Sequence, residues 1–242
     1  MKTDHQLQVA IKDSILFRDS SDAFISKIAA KGSMTHYKKG KILFVHEDQA
    51  KRFFLVKNGW VKLFRETLDG EQAVVDMVTS GQTFGEAALF QDNIYTYSAE
   101  AIEASDIISI PLSLLQFEID NNPKFVKTLL FYNASIRQLK DKEIEHRSLQ
   151  NASQRIGCFM LRLVDQEKLG KTNIHLPYDK MFVAAKLGMK PETFSRALKR
   201  LKKDTKIRVK GATIEIDNLQ QLSDYACRAC SFEFPCADLK KD

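Results

Sequence analysis

The 242-residue chain predicts a two-part α+β fold: short strands punctuated by glycine, then a long helix and a small helical domain. Three observations carry this. Residues 53–57 (FFLVK) and 60–64 (WVKLF) flank Asn58-Gly59, a pair that strongly favours a tight hairpin turn. Residues 180–188 and 189–201 (MKPETFSRALKRL) read as two short helices separated by a turn at Gly188. Between these regions Phe125, Leu129, Tyr132, Ile136 and Leu139 recur at spacings of four and three, the period of a helical seam.

Residues 14 to 118 begin with a short helical stretch and continue as strands. Residues 42–45 (ILFV) form one strand, and the hairpin around Asn58-Gly59 follows. Asp69-Gly70 separates its second strand from residues 73–78 (AVVDMV), Gly81 and Gly85 punctuate the next stretch, and residues 99–110 end it with alternating apolar positions. Short strands with glycine turns at this spacing predict a small β-sandwich or barrel. Pro123 suits the first turn of the long helix that follows, to about Leu149. Its apolar seam is either a dimer contact or the face by which the helix packs on its own domain.

A second domain begins near residue 150. Residues 151–164 form a helix with Ile156, Phe159, Met160 and Leu163 on one side. Residues 207–209 and 213–216, joined through Lys210-Gly211, form a two-stranded wing that can reach a nucleic-acid backbone. In the helix after the turn, Pro191 occupies a position where its missing N–H costs nothing. Glu192, Ser195 and Arg196 lie at i, i+3 and i+4 and share one face near the helix start, where a recognition helix carries its base-reading side chains. Arg pairs with guanine O6 and N7, Glu accepts from cytosine N4, and Ser does either. Phe194, Ala197, Leu198 and Leu201 form the opposite, apolar face.

An ordinary surface helix can also carry a Glu–Arg pair, and the charge distribution separates the two readings. Residues 186 to 210 hold ten basic residues against two acidic ones, a net +8, whereas the whole chain is only +6. The basicity is local, as a phosphate-binding face requires, with Lys190 and Lys199 placed to flank the base-reading residues.

Composition sets the remaining bounds. The chain is 44% apolar and 28% charged, as in globular proteins, and no apolar run approaches the roughly 18–20 residues of a membrane span. The amino terminus lacks the apolar core of a signal peptide, so a cytoplasmic protein without membrane contact is expected. A Gly-rich phosphate loop, a nucleophile elbow and a His-Glu-x-x-His helix are all absent, which argues against an enzyme. A ligand-binding regulatory module that does not touch DNA is the competing class, and the basic window with Arg196 speaks against it.

Three of the four cysteines fall in the last sixteen residues, as Cys227-x2-Cys230-x5-Cys236. Two thiolates three residues apart can grip one metal and a third nearly completes a site, so an iron–sulfur cluster, zinc, or thiols that bind no metal all remain open. Cys158, among Ile156, Phe159 and Met160, reads as a buried core thiol. His5, His36, His46, His146 and His175 show no pattern that selects an axial haem ligand.

In this order of parts the chain resembles the CRP/FNR family of transcription regulators along nearly its full length. The residues carrying the resemblance are 57–63 (KNGWVKL), 81–90 (GQTFGEAALF), 98–101 (SAEA) and 191–196 (PETFSR). Glu192 with Ser195-Arg196 matches the FNR-like branch, and the PETFSR form is similar to the DNR group of nitric-oxide-responsive regulators. The resemblance implies a cyclic-nucleotide-binding-like β-roll (a double-stranded jelly roll) over residues 1–120. It implies a dimerisation helix over 121–149, a winged helix-turn-helix over 150–221 and a cysteine-containing tail over 222–242. It further implies a homodimer on palindromic double-stranded DNA with TTGAT-like half-sites, contact with RNA polymerase if the protein activates, and an effector such as oxygen, nitric oxide or redox state.

In the family's cyclic-nucleotide binders a Gly-Glu pair holds the ribose side, and an Arg before Ser-Ala pairs with the phosphate. Here Gly85-Glu86 are present but Tyr97 stands before Ser98-Ala99, which disfavours a cyclic phosphate, since a buried charge without a counter-charge is costly. Gly85-Glu86 then read as a turn glycine and a structural carboxylate. Some FNR-like regulators hold an iron–sulfur cluster on a C-terminal cysteine trio with a carboxylate from the long helix. That resemblance implies Cys227, Cys230 and Cys236, with Asp141 on the helix as a further ligand, while the similarity to the DNR group implies haem.

Overall fold

The computed structural model describes residues 2–164, 172–176 and 180–230, and the chain divides into two compact units, residues 1–135 and 136–242. In the first, α1 (Lys2–Lys12) and α2 (Asp22–Lys31) precede eight strands. These are β1 (Ser33–Tyr37), β2 (Ile42–Phe44), β3 (Arg52–Asn58), β4 (Trp60–Glu66), β5 (Gln72–Thr79), β6 (Thr83–Phe84), β7 (Ser98–Ala101) and β8 (Ser105–Pro111). The helices α3 (Leu112–Asn121) and α4 (Pro123–Leu149) follow. Ser21 starts α2 by accepting the Phe24 N–H on its side chain. The strands form two antiparallel sheets ordered β1-β8-β3-β6 and β2-β7-β4-β5, whose apolar residues share one core. This is the expected β-roll.

The hairpin expected at Asn58-Gly59 does not form. β3 pairs with β6 and β8, whereas β4 pairs with β5 and β7, so Asn58-Gly59 carries the chain from one sheet to the other. The physical reason lies in the flanking residues. Phe53, Phe54, Leu55 and Val56 are all buried in succession, and so are residues 60–64, which a half-solvated hairpin would not allow. Gly59 has φ +92°, and a Cβ there would lie 2.8 Å from the Ser105 Cα, so the crossing requires glycine. The hairpin forms one turn later. β4 and β5 pair from Trp60↔Thr79 to Glu66↔Gln72, closed by Thr67 and Gly70.

Of the two readings of the helical seam, its first three residues take the packing on their own unit. Phe125 and Leu129 are 4% and 5% exposed within the core of the first unit, with the Phe125 ring edge-on to Phe24 at 5.5 Å. Tyr132 packs on the same core, and its hydroxyl meets Thr83 Oγ1 at 2.8 Å. Three of the five proposed dimer residues therefore serve their own unit, while Ile136 and Leu139 stay half-buried on α4. Leu130 and Phe131 are the apolar residues this stretch exposes, at 66% and 63%. A four-three spacing identifies a buried stripe but not what buries it.

In the second unit, α5 (Ala152–Leu163) starts at a capping box in which Asn151 and Gln154 satisfy each other's backbone amides. There follow β9 (Thr172–His175), α6 (Lys180–Lys186), α7 (Pro191–Thr205), β10 (Arg208–Lys210), β11 (Thr213–Ile216) and α8 (Leu219–Ala226). The sheet is three-stranded, ordered β10-β11-β9, so the expected two-stranded wing gains a strand. Ile156, Met160, Val183, Phe194, Leu201, Ile214, Ile216 and Leu222 build its core. Among the described residues no helix is long and apolar enough to cross a membrane.

Candidate nucleic-acid interface and sensing sites

The helix-turn-helix is built by a tight reversal between α6 and α7. Gly188 adopts φ +63° while Gly188 and Met189 donate back to the Ala185 and Ala184 carbonyls, closing α6. Lys190 then sits extended at the N-cap of α7 with Pro191 as its first residue. Phe194, Ala197, Leu198 and Leu201 are buried in the core of the unit. The Ser153 hydroxyl donates to the Ala197 carbonyl at 3.0 Å, tying α7 to α5. Lys190, Glu192, Ser195, Arg196 and Lys199 are all exposed. The structure thus presents the whole set on solvent, near the start of a helix whose opposite face is anchored.

The basic window is partly balanced from within. Arg200 lies 3.7 Å from Asp204. In the wing, Arg208 and Lys210 reach Glu215 at 2.8 Å and 2.9 Å, and Arg208 also pairs with Asp217. Lys210, then Arg208, holds the Glu215 carboxyl down at about 2. Such exposed pairs bind weakly and can exchange for phosphate. The wing is therefore close to neutral, and the positive surface is centred on α7. The two wing carboxylates lie outside residues 186–210, so that sequence window could not reveal the balance.

In the first unit, Gly85 turns the chain at φ +85° into a short 3-10 turn, Glu86–Phe90. The Gly85 N–H donates to the Tyr97 hydroxyl at 2.9 Å. Glu86 Oε2 is out of solvent and has no hydrogen-bond partner among the described residues, although the residue as a whole is only half-buried. Burial pushes its carboxyl up to about 7, only partly opposed by its own backbone amide. Burial, then the nearby Glu86 charge, also raises the Tyr97 and Tyr132 phenols above their ordinary value. Tyr97 therefore takes up the amide of the Gly-Glu turn with its own side chain.

In the second unit, Cys227 and Cys230 bracket a single 3-10 turn, Cys227–Ala229, at the end of α8, and both are half-buried. Their third partner, Cys236, lies outside the described residues. His146, buried on α4, stands between two sulfurs: Nδ1 is 3.7 Å from Cys158 Sγ and Nε2 is 3.5 Å from Cys230 Sγ. Burial first, and Arg162 next, holds this imidazole below its ordinary range. The neutral ring donates from one nitrogen and accepts at the other, so it can serve both thiols. Asp141 is exposed on α4. Among the described residues no three His, Cys, Asp or Glu side chains are grouped so as to hold a metal ion. The expectation for histidine missed His146, because its thiol partners lie 12 and 84 residues away in sequence.

Residues 34–122 match the cyclic nucleotide-binding domain family, and residues 154–225 match the Crp-like helix-turn-helix domain family. A crystal structure of a candidate cyclic nucleotide binding protein from Ruegeria pomeroyi is 33% identical. The match covers 92% of this chain and 97% of that one, with a TM-score of 0.74. The chain belongs to the CRP/FNR family of transcription regulators. Both matched domains are those of regulators rather than enzymes. The fumarate and nitrate reduction regulatory protein of Escherichia coli is 26% identical over 192 residues, 78% of this chain and 76% of that protein. The structure of DNR from Pseudomonas aeruginosa is 25% identical, with a TM-score of 0.53, covering 93% of this chain and 98% of that one.

Proposed function

We propose that this CRP/FNR regulator binds FNR-type palindromic double-stranded DNA as a homodimer and adjusts transcription in response to oxygen, nitric oxide or redox state. The observation that carries the DNA half is the exposure of Glu192, Ser195 and Arg196 together on α7, while Phe194 and Leu198 lock its other face. Lys190 and Lys199 supply flanking phosphate contacts. A dimer would set two such helices about one turn of DNA apart. The described apolar residues of α4 open to a partner helix include Leu130, Phe131, Ile144 and Leu149, with half-buried Ile136 and Leu139. An activator of this kind would work by contacting RNA polymerase in the cytoplasm.

The effector half rests on the thiols. Cys227 and Cys230 on one half-buried turn suit the donor chemistry of a soft metal, with Cys236 as the third thiol and Asp141 as the proposed carboxylate. An iron–sulfur cluster bound there would supply an oxygen- or nitric-oxide-labile group, and zinc would make the tail structural. The residues themselves hold the turn against α4 through His146 and Cys230. Gly85-Glu86 keeps a cyclic-nucleotide response as the second reading, but Tyr97 occupies the turn amide that such a ligand would need.

Arg196→Ala tests the DNA half by fluorescence anisotropy at fixed salt. It should remove about 1–3 kcal/mol of specific binding per half-site while leaving most non-specific binding. Unchanged discrimination between operator and scrambled DNA defeats the assignment. Iron, sulfide and zinc analysis of anaerobically purified protein against a Cys227→Ala, Cys230→Ala form tests the thiols. Metal that survives both substitutions moves the sensor elsewhere, and calorimetry with cyclic AMP tests the second reading.

A further inference from the structure

Four cations and one carboxylate line one small cavity of the second unit among the described residues. Arg147 comes from α4, Arg155 and Arg162 from α5, and Lys186 from α6. Together with Glu143 and the Cys158 thiol they line a cavity of about 30 Å³. Glu143 serves two of the cations through one oxygen: its Oε1 lies 2.9 Å from Lys186 Nζ and 3.6 Å from Arg162 Nη1. Arg147 donates at long range, 3.4 Å, to the Lys186 carbonyl. Arg155 Nε is out of solvent and has no hydrogen-bond acceptor among the described residues.

This arrangement is costly as it stands. A buried N–H without an acceptor forfeits its hydration, and a cation beside other cations adds repulsion. Burial, followed by Arg147, holds the Arg155 guanidinium below its ordinary value, the direction expected of a cation that lacks a counter-charge. The lining carries four positive charges and one negative, a net +3 among the described residues. The space exceeds what a single water needs. Guanidinium groups are donor forks matched to tetrahedral oxyanions.

We propose that this cavity is an oxyanion site, formed by Arg147, Arg155, Arg162 and Lys186, that takes a phosphate-type anion. The anion accepts from Arg155 Nε, and Glu143 holds Lys186 and Arg162 in place around it. Two sources share this chemistry: inorganic phosphate, and a backbone phosphate of bound DNA. The second depends on the DNA-binding reading given above.

The test titrates the full-length protein with inorganic phosphate by calorimetry, with chloride holding ionic strength constant. One saturable site per chain is expected, weakened about tenfold or more by Arg155→Gln, the loss typical of a charge-assisted hydrogen bond. Arg147→Gln should weaken it as well, and it carries the test if Arg155→Gln fails to fold by circular dichroism. If free phosphate does not bind but Arg155→Gln lowers the salt slope of DNA binding by about one, the occupant is a backbone phosphate. Phosphate binding equal in the variants overturns the proposal, as does no binding together with an unchanged slope. Arg196→Ala, which leaves the cavity intact, distinguishes failure of this site from failure of the DNA reading.

Discussion

The buried Glu86 carboxyl should lower the stability of the first unit in a pH range where most carboxylates have no effect. Its Oε2 is buried without a partner among the described residues, and the charges of Glu86 and Asp76 both act on the Tyr97 and Tyr132 phenols. Burial raises the group from 4.5 to about 7. Because the folded value lies above the unfolded one, the group costs nothing below 4.5. The penalty grows between 4.5 and 7 and is complete above 7. At about 1.36 kcal/mol for each tenfold change in proton affinity, the full penalty is about 3 kcal/mol. Glu86→Gln removes it. Urea denaturation of wild type and variant should give a stability difference about 3 kcal/mol more favourable to the variant at pH 8 than at pH 4.5. Taking the difference between pH values cancels any constant effect of the amide. Trp60 is the one tryptophan of the chain and is buried in β4, so its fluorescence reports this unit alone. A stability difference that is the same at both pH values would refute the reasoning, because it would mean that the carboxylate is solvated or paired.

Two further outcomes follow from local geometry. Gly59→Ala should cost about 2 kcal/mol or more by the same Trp60 measurement, since it combines a left-handed φ with a collision against Ser105; a loss below about 0.5 kcal/mol would contradict the crossing between sheets. Glu215→Ala should release Arg208 and Lys210 for phosphate and steepen the salt dependence of DNA binding by about one to two in slope, measured by anisotropy across a salt series, whereas an unchanged slope would place the wing away from DNA.

Much of the DNA-binding unit was legible in the sequence because its signals are local. A glycine stop, a proline start and an apolar stripe three and four residues apart specify α6, the turn and α7 within about twenty-five residues. The exposure of Arg196 follows from the burial of Phe194 and Leu198 on the same helix. The third strand of its sheet, β9, escaped because four residues with two buried positions carry too short an alternation to stand out.

The sequence by itself determined the order of parts, the strand-rich roll, the exposed polar face of α7 and the concentration of positive charge, since each depends on residues close in the chain. Tertiary structure decided what each apolar run packs against. Asn58-Gly59 crosses between sheets because residues 53–56 before it and 60–64 after it are each buried in an unbroken run. Phe125 joins the core of the roll because Phe17 and Phe24 are there to receive its ring. The same holds for the polar sites. Thr83 meets Tyr132, His146 meets Cys230, and Arg155 shares a cavity with Lys186 only once distant segments are packed together. Local geometry is encoded by spacing, whereas burial and unmatched charge are properties of the assembled interior.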